Sequence, residues 1–126
     1  MTIIALPSKG NGGLNEVIEK RFGKCESITL VSLKNKNIEA VKTFPIQLNE
    51  VIGNLGIYVA SIINSNDASI AIVRFIGSKA FKSLISQEIQ IFHIAVDELI
   101  IKNCVESYIQ GKLAMLSKPN AHLIND

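Results

Sequence analysis

The 126 residues are 48% hydrophobic and 19% charged, and 13 basic against 11 acidic side chains leave a formal net charge of +2. This size and apolar content suit one globular domain that needs no disulfide or metal staple, and they exclude intrinsic disorder. Polar residues break every apolar run before the ~18 to 20 residues of a membrane span, and an even charge balance with 6% aromatic residues excludes a dedicated nucleic-acid binder.

Thr2 to Leu6 is an apolar run of strand length, ended by Pro7 and the loop Ser8-Lys9-Gly10-Asn11-Gly12-Gly13. Leu14, Val17, Ile18 and Phe22 then fall at helical spacing, which predicts a short amphipathic helix ending near Gly23. Ile28 to Leu33 and Ile38 to Lys42 form two β-rich arms joined by the polar turn Lys34-Asn35-Lys36-Asn37, a hairpin. A loop is expected to about Gly53 and a helix from Asn54 to Ile63, closed by Asn64-Ser65-Asn66-Asp67. Ile70 to Phe75 is a nearly continuous β-branched run, as in a strand covered on both faces. Gly77-Ser78 opens a helix whose apolar face is Ala80, Phe81, Leu84 and Ile85, and Ile89 to Ile94 is read as the last strand. Asp97 is the expected cap of a final helix with a stripe of Ile100, Ile101, Cys104, Val105, Tyr108 and Ile109, stopped by Gly111. Residues 1–116 make one α/β domain, and 117–126 are expected to be a polar, frayed tail.

Strands alternating with helices call for parallel crossovers, while the hairpin adds antiparallel strands. The product is a three-layer, five-stranded mixed sheet with helices on both faces. Ligands of such sheets bind beyond the carboxyl ends of the parallel strands, here the loops after Leu6 and Phe75. The amino terminus has no basic region and no cleavage site typical of a signal peptide, so a cytoplasmic location is expected. Cys25 and Cys104 lie far apart without a CxxC or Cys/His repeat, against a zinc module or a disulfide framework. The chain has no P-loop, no dinucleotide-binding glycine motif and no serine, histidine and acid at motif spacing, so it is not expected to be an enzyme.

Five segments in order, Ile3-Ile4-Ala5-Leu6-Pro7, Arg21-Phe22-Gly23-Lys24-Cys25, Gly53-Asn54-Leu55-Gly56-Ile57, Gly77-Ser78-Lys79-Ala80-Phe81-Lys82-Ser83-Leu84 and Tyr108-Ile109-Gln110-Gly111-Lys112-Leu113, span nearly the whole chain. In this combination the sequence resembles the dinitrogenase iron-molybdenum cofactor biosynthesis family. The resemblance implies a ribonuclease H-like fold with strand order 3-2-1-4-5 and a role in carrying iron-molybdenum cofactor or another iron-sulfur or molybdenum cluster, not covalently bound. Two positions depart from the family pattern: bulky Arg74-Phe75-Ile76 stands where the family has small residues, and Arg21 stands where it commonly has histidine.

On this fold, Lys9, Gly10, Gly12, Gly13, Arg21, Lys24, Gly53, Gly56, Arg74, Gly77 and Lys79 are expected to gather on one edge of the sheet. Glycine amides, helix starts and five cationic side chains make that edge a candidate site for an anionic metallocluster, a phosphate or an acidic partner loop. Cys25, beside Lys24, and His93, closing the fifth strand, are the candidate metal ligands, with a structural role as the alternative for each. Cys104 reads as core. The leading expectation is a small binding or carrier domain for an anionic metal-sulfur cluster or its precursor, monomeric or homodimeric, with a protein partner in cluster assembly. The alternative is a protein-interaction or regulatory module of the same fold that has lost cluster binding through the Arg74-Phe75-Ile76 substitutions.

Overall fold

The computed structural model describes residues 1–47 and 53–124. β1 (Thr2–Ser8) is apolar from Ile3 to Pro7 because both its faces are covered: Ile4 and Leu6 pack into one core cluster, Ala5 into the other, and all three are fully buried. β2 (Ser27–Lys34) and β3 (Asn37–Pro45) form the expected hairpin, with both arms longer than the alternation shows. Asn35 and Lys36 have φ values of 51° and 66°, as a two-residue type I′ turn requires. A bulge places Glu39 between the pairs Ser32 with Ala40 and Leu33 with Ile38.

The helix expected over Leu14 to Phe22 does not form. Lys9 N–H donates to Val17 O at 3.0 Å, Ile18 N–H to Leu99 O at 2.9 Å and Glu19 N–H to Pro7 O at 2.9 Å, so this backbone is spent on neighbouring segments. Packing explains the choice. Leu14 and Ile18 serve the core on one face of the sheet and Phe22 the core on the other, which a single helical stripe cannot do. A single 3-10 segment, Phe22–Lys24, is all the helix that forms at its end.

α1 (Leu55–Ser65) starts at Asn54, whose Oδ1 accepts from Ile57 N–H at 3.1 Å, and ends just before Asn66 and Asp67. The loop expected before Gly53 falls partly on residues 48–52, outside the described residues. β4 (Ile70–Val73) is buried along its whole length and lies parallel between β1 and β5 (Gln90–His93), with α2 (Ser78–Ser86) as the crossover. α3 (Ile101–Ile109) buries Ile101, Cys104 and Val105, but Asp97 does not cap it; the capping position is Ile100, and Asp97 is drawn away to pair with Arg74. Gly111, at φ +70°, closes α3 as expected. Its N–H donates to Tyr108 O and the Lys112 N–H to Ser107 O, both at 3.0 Å, a Schellman closure.

The sheet has six strands, not five, in the order β3-β2-β1-β4-β5-β6. The Gly111 turn reverses the chain so that β6 (Ala114–Met115) pairs antiparallel with β5, and two residues are too few to leave a periodic signal. α1 and α2 cover one face and α3, with Leu14 and Ile18, covers the other. In the carboxy-terminal segment Asn120 is 5% exposed and a 3-10 turn follows at Ala121–Leu123.

Candidate functional site

Beyond the carboxyl end of β4, three segments meet. Lys20 and Phe22 pair with Phe75: Phe75 N–H donates to Lys20 O at 3.1 Å, and Phe22 N–H to Phe75 O at 3.0 Å. This pins the Phe22–Lys24 turn beside the starts of α1 and α2. Contact there is backbone-close. A Cβ on Gly23 would sit 3.3 Å from Gly56 N, and one on Gly56 would sit 2.9 Å from Ala80 Cβ. Glycine at both positions lets the turn, α1 and α2 converge.

Their convergence leaves a cleft of about 660 Å³. Arg21, Lys24 and Lys79 bring positive charge to it, Phe75, Leu55 and Ala80 supply apolar wall, and no carboxylate lines it among the described residues. Gly53 and Asn54 lead into α1, Gly77 and Ser78 into α2, so both positive helix ends reach the cleft. First-turn amides of a helix lack intrahelical acceptors. Asn54 caps one of them in α1, whereas α2 has no side-chain cap, and its Ser78, Lys79 and Ala80 all line the cleft. Such an arrangement favours an anion with an apolar or weakly hydrated surface.

The predicted edge therefore divides. Arg21, Lys24, Gly53, Gly56, Gly77 and Lys79 come together in the cleft, while Lys9, Gly10, Gly12, Gly13 and Arg74 lie elsewhere. The glycine-rich loop spends its amides within the protein: Gly10 N–H on Glu26 Oε1 at 3.2 Å, Gly12 N–H on Lys9 O at 3.1 Å and Gly13 N–H on Thr29 Oγ1 at 3.0 Å. Of its three glycines only Gly12 is needed for close packing, while Gly10 and Gly13 answer to positive φ values of 54° and 101°. Gly12, at φ +74°, covers a buried hydroxyl cluster in which Ser8 Oγ lies 2.7 Å from Ser27 Oγ and 2.9 Å from Thr29 Oγ1.

Arg74 is turned inward. Its side chain is 8% exposed, donates to Ile94 O from Nε at 3.4 Å and to Ala95 O from Nη2 at 3.1 Å, and pairs through Nη1 with Asp97. The guanidinium thus ties β4 to the segment before α3, and its charge faces a small separate cavity shared with Lys9, Lys20 and Glu98.

The two candidate metal ligands do not line the cleft. Cys25 is 2% exposed within the apolar core, and burial, with the nearby negative charge of Glu19, pushes its thiol up to about 12. Cys104 is buried in the other cluster and is also pushed up to about 12 by burial. His93 is half-buried with its ring edge-on to Phe75, 6.5 Å between centroids; burial and the charge of Arg74 hold its pKa below the ordinary histidine value. Among the described residues no group of three or more His, Cys, Asp or Glu side chains is placed to hold a metal ion. No helix there is long and apolar enough to cross a membrane.

Sequence reasoning missed Phe75 as a wall of the cleft, and Ala121 and Ile124 on its far side. Phe75 reads as strand, and nothing in a polar terminal segment marks Ala121 or Ile124. Asn54 and Ser78 carry the signal of residues that begin helices.

No curated protein shows significant similarity to the chain. Among solved structures, the apo form of the orange protein from Desulfovibrio gigas superposes with a TM-score of 0.83 at 22% identity, covering 95% of this chain and 97% of that one. A candidate NifB protein from Thermotoga follows at 0.77 and 19%, covering 95% and 97%, and a candidate dinitrogenase from Methanocaldococcus jannaschii at 0.70 and 18%, covering 93% and 96%. At these identities the likeness is one of fold. The family model for dinitrogenase iron-molybdenum cofactor proteins matches residues 1–111, and the chain belongs to that family.

Proposed function

We propose that the chain is a small carrier that holds an anionic metal-sulfur cluster, or a precursor of one, in the cleft between the Phe22–Lys24 turn and the starts of α1 and α2. The observation that carries this reading is the cleft itself: Arg21, Lys24 and Lys79, two helix amino termini and no carboxylate among the described residues. The cluster is cargo, held by charge, amide hydrogen bonds and apolar contact. With Cys25 buried and protonated at neutral pH, the holding does not use its thiolate. Phe75 and Ile76, bulky where the family has small residues, leave a cleft rather than filling it, since Ile76 turns into the core and Phe75 forms a wall. Family membership and the fold shared with the orange protein support the same reading.

The test is anaerobic reconstitution with iron, sulfide and molybdate, followed by desalting. The carrier reading expects a retained visible chromophore, with amide NMR shifts at Lys24, Gly56 and Ser78, and loss of both in a Lys24→Glu, Lys79→Glu double variant. Colourless protein, or colour that survives the double variant, overturns it. Colourless protein that co-purifies with another protein would instead favour a docking module of the same fold.

A further inference from the structure

The cleft is completed by a segment outside the part of the chain that the family model matches, residues 1–111. Asn120 fastens this segment to the corner after β4. Its Oδ1 accepts from Ile76 N–H at 2.8 Å, its Nδ2 donates to Arg74 O at 2.8 Å, and its own N–H donates to Ile76 O at 3.1 Å, an acceptor shared with Ala121 N–H at 3.1 Å. One buried asparagine thereby satisfies the backbone of the corner as a neighbouring strand would. The chain then turns through Ala121–Leu123 and lays Ala121 and Ile124 along the cleft that Arg21, Lys24 and Lys79 also line.

We propose that Ala121 and Ile124 are ligand-contacting residues that set how tightly the cleft retains its anion, with Asn120 as the residue that positions them. The inference rests on the anion-carrier reading of the cleft. An apolar wall held beside the cations excludes water from the bound anion, and each charge interaction strengthens as the local dielectric falls. Released from Asn120, the same segment leaves that side of the cleft open to solvent.

The sign of a charge placed at Ile124 separates this role from a merely structural one. Anaerobic titration with tetrathiomolybdate, followed by its visible absorption, is run on the wild-type chain, Ile124→Glu, Ile124→Lys, Asn120→Ala and the two double variants, each checked for its fold by circular dichroism. Binding is expected to weaken about tenfold in Ile124→Glu and to tighten severalfold in Ile124→Lys. In the Asn120→Ala background the difference between the two should shrink to about twofold or less, because the wall is no longer held in place. If the wild type binds and both Ile124 variants match it, or if their difference survives Asn120→Ala, the inference is overturned while the carrier reading stands. If the wild type binds no tetrathiomolybdate, the carrier reading falls and takes this inference with it.

Discussion

Replacing Gly56 by alanine tests whether the close approach of α1 to α2 frames the cleft. Position 56 is inside α1, where alanine is favoured over glycine by about 0.5 to 1 kcal/mol, so a purely local argument predicts a gain in stability. Tertiary structure predicts the opposite. The new Cβ would lie 2.9 Å from Ala80 Cβ and 3.2 Å from Asn54 Oδ1, against roughly 3.5 to 4.0 Å for a comfortable carbon contact. Ala80 Cβ is fixed to the α2 backbone and cannot rotate away, so the two helices must separate by several tenths of an ångström. Overpacking of this kind costs about 1 to 3 kcal/mol, which exceeds the propensity gain and leaves a net loss of about 1 kcal/mol or slightly more.

In a domain of this size such a loss lowers the thermal midpoint by about 3 to 6 °C, measurable by circular dichroism melting. Gly77→Ala is the matched control at the start of α2, since a Cβ there meets nothing within 4 Å and φ is −79°. Its midpoint should stay within about 2 °C of wild type. A Gly56→Ala protein that melts at or above the wild-type midpoint would refute the close-packing argument and, with it, the convergence of the two helix starts.

Gly12→Ala combines φ +74° with a Cβ placed 2.7 Å from Thr29 Oγ1; a loss of about 2 kcal/mol or more is expected in urea unfolding, and a midpoint equal to wild type would show that the loop does not sit on the hydroxyl cluster. Arg74→Met strips the donors from Ile94 O and Ala95 O and should cost about 2 kcal/mol, whereas Asp97→Asn, at a side chain 73% exposed, should cost about 1 kcal/mol or less; the reverse order would sink the account of Arg74 as an inward tie. His93 titrates below its ordinary value of 6.5 in the folded chain, so the unfolded chain takes up the proton first and stability falls as pH drops through about 6.5. His93→Gln should flatten that part of the stability profile; an unchanged slope would remove His93 as its source. Cys25 and Cys104, raised from 9.0 to about 12, contribute stability that is fully present below pH 9 and lost as pH rises toward 12. Iodoacetamide at pH 8 should therefore leave both native thiols unmodified by mass spectrometry and label both in denaturant; rapid native labelling of Cys25 would contradict its burial.

The elements that declare themselves in the sequence are those whose local chemistry agrees with their surroundings. β4 reads as a doubly covered strand because Ile70 to Val73 really are buried on both faces, and the hairpin reads from a turn whose residues tolerate left-handed backbone. Gly111 announces the end of α3 because few other residues suit φ +70° there. Part of the cleft is legible on the same grounds, since Gly53 precedes the Asn54 cap of α1 and Gly77 takes the cap position of α2, where glycine or a capping residue is wanted. Lys9, Gly10, Gly12 and Gly13 mislead for a physical reason. A glycine-rich loop that packs its backbone onto Ser8, Ser27 and Thr29 has the same composition as one that offers its amides to a ligand.

Amino-acid order alone determined the α/β class and the helix starts that carry Gly56, Gly77 and Lys79, because propensity, capping and apolar patterning act over a few residues, while the order of the first five strands was available only as an implication of the family likeness. Only the tertiary structure decided that Leu14 to Phe22 runs between two cores instead of coiling, that Arg74 turns inward to Asp97, and that β6 and Asn120 bring the carboxy-terminal segment back to the cleft. Each of those outcomes depends on a partner distant in the chain, such as the 44 residues that separate Asn120 from Ile76, and partners at that range leave no periodic trace around the residue itself.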